Sequence, residues 1–395
     1  MTCGQGYPIH EIMNIIKGEA INISSPDTMI KHLLIDSRML ISPEQSLFFA
    51  IVSKRNNGHK YILELYKKGV KNFIVSEIPE NINEYPDSNF IKVKNTLSAL
   101  QLLGAFHRKK FNIPVIGITG SNGKTIIKEW LFQLMCDDKK IVRSPKSYNS
   151  QIGVPLSVWQ MDTEHNLAIF EAGISEIEEM DKLQAIIQPT IGIFSNIGHA
   201  HDENFINILQ KTNEKLKLFT KVKTLVYCAD HLEIKERLYQ SENLKNIHTF
   251  SWSYKLNADL IIKNISHKGN TSTIEGIYKN EEIKFTIPFS DAASIENAIH
   301  CWATLILLNY DPKIISERMK TLSSVALRLE LKEGINNCSI INDSYNSDIN
   351  SLSIAIDFLN QQQVGNKLEI HFVIEHCRAL FQSEFYLWFY CLLNL

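Results

Sequence analysis

Short apolar runs alternate with amphipathic, helix-length segments along most of the chain. Before residue 100, His32-Leu-Leu-Ile-Asp36, Ser46-Leu-Phe-Phe-Ala-Ile51 and Asn72-Phe-Ile-Val75 read as strands and Tyr61–Lys68 as a helix, which predicts a small α/β domain. Pro114 opens a second unit. There Val115-Ile-Gly-Ile-Thr119 is a strand, Gly120 to Gly123 a glycine turn and Lys124–Cys136 a helix. Leu167-Ala-Ile-Phe170 and Ile191-Gly-Ile-Phe194 follow at helix-length intervals, the rhythm of a parallel sheet covered by helices on both faces. Strands near Leu225-Val-Tyr227 and Asp259-Leu-Ile-Ile262 extend the sheet, an antiparallel edge falls between Thr271 and Pro288, and Ile295–Leu308 is a long helix. A helix after Asp311, the strand Ser339-Ile-Ile341 and the helix Ser351–Leu359 announce a third unit.

With 395 residues the chain has room for two to four domains. Lys and Arg number 41 against 43 Asp and Glu, so no basic excess points to a nucleic acid or an anionic membrane, and an anionic ligand must be caught by a local site. The seven cysteines are odd in number and never spaced C-x-x-C, which suits reduced, buried thiols in a cytoplasm. Glu11 and the lack of an early apolar run argue against a signal peptide. The apolar stretch Phe385 to Leu395 is too short for the roughly 20 residues of a membrane span. A cytoplasmic monomer is expected.

The strongest local signal is Gly117-Ile-Thr-Gly-Ser-Asn-Gly-Lys-Thr125, between a strand and a helix. A glycine turn there lets backbone N–H groups meet a phosphate at the positive helix end, with Lys124 as a point charge and the Thr125 hydroxyl for Mg²⁺. The strict G-x-x-x-x-G-K-[ST] pattern fails at Ile118, so the loop is a variant. Metal ligands are expected at the carboxyl ends of neighbouring strands. Glu171 follows one such strand and His199 and His201 another, whereas Lys211, Lys215 and Lys217 by themselves read as a solvated helix face.

Taken in order, that loop, Tyr148-Asn-Ser-Gln-Ile-Gly-Val-Pro155, Glu171-Ala-Gly173, Asn196-Ile-Gly-His-Ala-His201, Asn297, Arg328 and Asp343-Ser-Tyr-Asn346 resemble the Mur ligases of peptidoglycan synthesis. Ile35-Asp-Ser-Arg38, Leu47-Phe-Phe-Ala50 and Gly58-His59 are similar to the uridine-nucleotide segment of that family. Within it the pattern is most similar to the branch that adds D-alanyl-D-alanine to UDP-N-acetylmuramoyl-tripeptide, a branch that also occurs fused to an alanine racemase. The resemblance implies an ATP-dependent, Mg²⁺-requiring ligase that forms an acyl phosphate. It implies that Gly120, Ser121, Asn122, Gly123, Lys124, Thr125, Asn297, Arg328 and Asp343 bind ATP. Thr125, Glu171, His201 and Lys215 would serve the metal, with Lys215 matching the carbamylated lysine of the family fourteen residues after His201. Lys124, Lys215 and His201 would be catalytic, and Ser37, Arg38 and Asn149 would meet the precursor. His199, Ser150, Leu327 and Asn342 depart from the family pattern.

The expected architecture is α/β: a uridine-nucleotide domain over 1–105, a central doubly wound ATP-binding domain with a mostly parallel sheet over 106–312, an incomplete Rossmann-like domain over 313–366 and a divergent apolar tail over 367–395. The shortness of the third unit leaves a remnant that only binds nucleotide or precursor as the alternative. A folylpolyglutamate-synthase-like ligase would share the central domain but lack the Asp36-Ser-Arg38 domain.

Overall fold

The structure is a computed structural model that describes residues 2–54, 56–198, 204–255, 257–326, 328, 330–333 and 339–342. His199, His201, Asp343, the predicted helix Ser351–Leu359 and the tail 367–395 lie outside the described residues.

The N-terminal unit is a six-stranded sheet of β1 (Thr2–Pro8), β2 (Glu19–Ile23), β3 (Met29–Leu34), β4 (Ser46–Phe49), β5 (Asn72–Val75) and β6 (Asn89–Lys92), in the order β1-β3-β4-β5-β6-β2. The four inner strands are parallel, and β1 and β2 close the edges antiparallel. Every residue of β4 and β5 is buried, because a parallel strand covered on both faces needs apolar side chains on both. Leu47 and Phe49 meet helices α1 (Ile9–Ile16) and α3 (Thr96–Lys109), while Phe48 and Phe73 meet α2 (Ile62–Lys67).

The central sheet has nine strands: β7 (Val115–Thr119), β8 (Ile141–Arg143), β9 (Leu167–Glu171), β10 (Ile191–Phe194), β11 (Thr224–Cys228), β12 (His248–Ser253), β13 (Leu260–Lys268), β14 (Thr271–Tyr278) and β15 (Glu281–Ile287). The order β15-β14-β13-β12-β11-β10-β7-β9-β8 is parallel from β8 to β13 and antiparallel beyond. Helices α4 (Lys124–Met135) and α9 (Ala292–Leu307) cover one face through Ile127, Leu131, Ile295 and Ile299. On the other face, α5 (Gly153–Val158), α6 (Glu179–Ile187), α7 (Ile208–Leu216) and α8 (Leu232–Gln240) bury Val154, Leu183, Leu216 and Ile234. Chain order reverses at β7, with β9 on one side and β10 on the other, so the crevice at their carboxyl ends is where an α/β sheet takes its ligand.

Beyond α10 (Pro312–Met319), the hairpin of β16 (Glu330–Glu333) and β17 (Ser339–Asn342) begins the third unit, with Glu330 opposite Asn342. The antiparallel edge starts earlier than the sequence predicts, because β13 runs on past Ile262 to Lys268 and pairs along its length with β14. Strands β1, β2, β6, β8 and β12 have no counterpart in the sequence reading. Their apolar runs are short or interrupted, and neighbouring strands supply their pairing.

Candidate nucleotide and metal site

The phosphate loop spans the turn from β7 into α4. Its position is set by close backbone approach: a Cβ on Gly120 would lie 2.0 Å from Ser195 Oγ, and one on Gly123 would lie 2.2 Å from Asn297 Oδ1. Gly123 also has φ +82°, a left-handed conformation at the residue preceding the helix that side chains disfavour. The segment after β10 holds the loop from the other side. Ser121 N donates to Asn196 O at 3.0 Å, Asn122 N to Asn196 Oδ1 at 2.9 Å, and Ser195 Oγ to Asn122 O at 2.5 Å. Two loop amides expected to wrap a phosphate are thus already engaged. The first turn of α4, whose N–H groups have no acceptor within the helix, is left as the anion-facing part.

A second support lies behind Ser195. His300 Nε2 is 2.7 Å from Ser195 O, and Trp252 Nε1 lies 3.3 Å from His300 Nδ1. An indole N–H can only donate, so Nδ1 accepts and the proton sits on Nε2, which donates to the Ser195 carbonyl. Burial holds the imidazole neutral, pulling its pKa down to about 4.

Thr125 and Glu171 meet where α4 begins and β9 ends. Thr125 Oγ1 donates to Glu171 Oε2 at 3.0 Å and lies 2.9 Å from Ser147 Oγ; Asn149 Nδ2 reaches the same carboxylate oxygen at 3.4 Å. Glu171 Oε1 faces Lys128 Nζ at 3.0 Å, within ion-pair distance but outside hydrogen-bond alignment. Cis ligands of an octahedral Mg²⁺ at 2.0–2.1 Å stand about 2.9 Å apart, so the hydroxyl and carboxylate oxygens already have the spacing of two such ligands. Among the described residues no three His, Cys, Asp or Glu side chains gather as a metal cage. Mg²⁺ is usually held by one or two carboxylates together with substrate phosphates, and the Thr125 hydroxyl beside the Glu171 carboxylate suits that donor set.

Thr125 and Asn149 border a cavity of about 260 Å³ whose wall also holds the rest of the loop, Gly173, Lys215 and Arg328. Lys124 Nζ folds back onto Gly120 O and Ser121 O, each at 2.9 Å, and Lys215 Nζ donates to Gly120 O at 3.1 Å. Lys215 is buried in α7, contrary to the solvated-face reading of its helix. Burial above all, then the charges of Lys124 and Lys211, drives its pKa well below that of an ordinary lysine. Arg328, from the segment leading to the third unit, donates to Ser147 Oγ at 3.3 Å. Asn297 stands behind Gly123 on α9.

A larger cavity of about 810 Å³ lies between the N-terminal sheet and β8, with Leu33, Asp36, Arg143, Lys146 and Tyr148 in its wall. The turn 144–150 separates the two spaces, with Tyr148 facing the larger and Asn149 the smaller. Of the predicted precursor residues, Ser37 is buried, and Arg38 is exposed with Nη2 2.6 Å from Asp36 Oδ2. Sequence reasoning missed Lys128, Ser147, Ser195 and His300. Lys128 alone carried a signal, a lysine three residues after Thr125 on a helix whose neighbours Ile127, Trp130 and Leu131 are apolar.

Residues 118–305 match the sequence profile of the Mur ligase middle domain. The UDP-N-acetylmuramoyl-tripeptide--D-alanyl-D-alanine ligase of Rickettsia prowazekii is 30% identical over 331 residues, covering 82% of this chain and 72% of that protein. The crystal structure of MurF from Acinetobacter baumannii superposes with a TM-score of 0.80 at 22% identity over 91% of this chain and 77% of that one. That of MurF ligase from Thermotoga maritima in complex with ADP gives 0.72 at 20% identity over 84% and 74%.

Proposed function

The chain belongs to the Mur ligase family, and on that premise we propose that it joins D-alanyl-D-alanine to UDP-N-acetylmuramoyl-tripeptide at the expense of ATP. The observation that carries this reading is the pair of cavities on either side of one turn. One is lined by phosphate-binding groups; the other is larger and has an apolar bed with Arg143 and Lys146 in its wall, suited to a nucleotide-linked precursor. Residues 144–150 would bring the peptide end of that precursor to the γ-phosphate.

In the first step an oxygen of the terminal carboxylate attacks the γ-phosphorus and the bond to ADP breaks, leaving an acyl phosphate. In the second the D-alanyl-D-alanine amine attacks the acyl carbon, inorganic phosphate leaves, and the amine gives up its proton. Both approaches bring anions or polar groups together, so the protein's work is positioning and charge neutralisation. Lys124 and Arg328 supply positive charge at the phosphates, and the first turn of α4 orients them. Thr125 Oγ1 and Glu171 Oε2 would hold Mg²⁺, which when bound neutralises charge on the β/γ-phosphate oxygens. Lys215, its pKa lowered by burial and by neighbouring lysines, can in its neutral form add CO₂ with loss of a proton, and the carbamate oxygen would offer a further hard ligand. Asn297 would contact the base from α9, and Asn149 the reacting end of the precursor. His201 and Asp343 keep the roles that the family pattern gives them.

The test supplies ATP, Mg²⁺, UDP-N-acetylmuramoyl-tripeptide and D-alanyl-D-alanine and follows phosphate release together with the mass of the nucleotide product. Phosphate should appear in step with the pentapeptide product and only when both acceptor substrates are present. Release independent of either substrate, or none above background, rejects the proposal.

A further inference from the structure

Lys128 is a charged side chain with no exposed surface and no part in the reaction derived above. Its ammonium is enclosed by oxygen: Glu171 Oε1 at 3.0 Å, Glu129 Oε1 at 2.9 Å, Ser144 O at 2.7 Å and the Lys146 carbonyl. Glu129 is in turn paired with Arg143 at 3.0 Å. Replacing a well-packed buried ion pair with apolar side chains is often neutral or stabilising, so stability alone does not account for a lysine here.

Its effect on Glu171 does. The two carboxylate oxygens have different neighbours: Oε1 faces Lys128, and Oε2 faces Thr125 Oγ1 and Asn149. We infer that Lys128 is a specificity-determining positioning residue that keeps Glu171 a single-oxygen ligand and so selects Mg²⁺ over Ca²⁺. This rests on the reading of Thr125 and Glu171 as metal ligands. Mg²⁺ requires near-ideal octahedral geometry at short distance, whereas Ca²⁺ takes six to eight oxygens and readily accepts a bidentate carboxylate. With Oε1 engaged, Glu171 has one oxygen to give. The carbonyls of Ser144 and Lys146 hold the ammonium beside Oε1, so turning the carboxylate to offer both oxygens to a metal would cost that ion pair.

The experiment compares Lys128→Met, which keeps most of the unbranched side chain and removes its charge, with the wild-type chain. Affinities for Mg²⁺·ADP and Ca²⁺·ADP are measured at saturating metal by calorimetry, with ADP in EDTA as the metal-free reference. Loss of a positive charge strengthens both divalent complexes alike, so the ratio of the two affinities isolates denticity. The ratio should move toward Ca²⁺ by about tenfold, the lower end of the usual effect of removing a second-shell partner. A ratio unchanged from wild type overturns the inference. If Lys128→Met does not fold, Lys128→Met/Glu129→Gln, which also neutralises the adjacent acid, carries the same measurement with the same two outcomes. A Glu171→Gln chain separates the layers: if it binds Mg²⁺·ADP as tightly as wild type, the metal-ligand reading itself fails, whatever Lys128→Met does.

Discussion

Lowering the pH should loosen the support of the phosphate loop through His300. Its imidazole is buried and neutral, donating from Nε2 to Ser195 O and accepting from Trp252 at Nδ1. A second proton would put N–H against N–H at the tryptophan and a charge in the core. The folded pKa is about 4 against an ordinary histidine value of 6.5. For a base with a depressed folded pKa the unfolded chain binds more protons, so stability is full above pH 6.5 and falls as pH drops toward 4. Linkage gives a loss of about 2 kcal/mol at pH 5, against less than about 0.1 kcal/mol at pH 7.5. His300→Gln keeps a donor near the Nε2 position and does not titrate. Urea unfolding followed by tryptophan fluorescence at both pH values, in wild type and variant, yields the difference of the two acid losses, from which other titrating groups cancel. The variant should lose about 2 kcal/mol less than wild type between pH 7.5 and 5. Equal losses would refute the assignment of a neutral, depressed His300.

Gly123→Ala forces a side chain into the left-handed region and toward Asn297, so it should cost about 1–2 kcal/mol from backbone strain alone; a thermal melt and ADP titration that match wild type would contradict the loop geometry. Lys215 should form a carbamate when ¹³C-bicarbonate is supplied. Its NMR signal should grow as pH rises and be absent in Lys215→Arg, and a wild-type spectrum without that signal would exclude the role.

Legibility in the sequence followed the reach of each interaction. The strands β4, β5, β7, β9 and β10 were readable because each is buried on both faces and therefore carries a mainly apolar run. Strand β8 has only Ile141, Val142 and Arg143, and its pairing with β9 makes it a strand. The loop Gly120 to Thr125 was readable because its chemistry is local. Ser195 and Asn196 hold it from more than 70 residues away, and no spacing rule connects them. Lys215 shows the same limit from the other side: a run of mixed charge at helical spacing predicts a solvated face, yet α7 lies with that lysine against Gly120, and tertiary burial overrides the local pattern.

The near-neutral composition required that any anion be caught locally, and the site shows what such crowding does. Lys124 and Lys215 both donate to the Gly120 carbonyl, and burial first, then the charges of Lys124 and Lys211, lowers the pKa of Lys215. Cations that lower the pKa of an amine also stabilise its product with CO₂, an anion. A bound triphosphate reverses both effects: it favours protonated Lys215 and repels a carbamate, unless a divalent cation stands between them. The charge arrangement therefore favours carbamate formation before the nucleotide enters. On the proposed reading of Thr125 and Glu171 as metal ligands, a bound metal would be the condition under which a carbamate and a triphosphate share one small cavity.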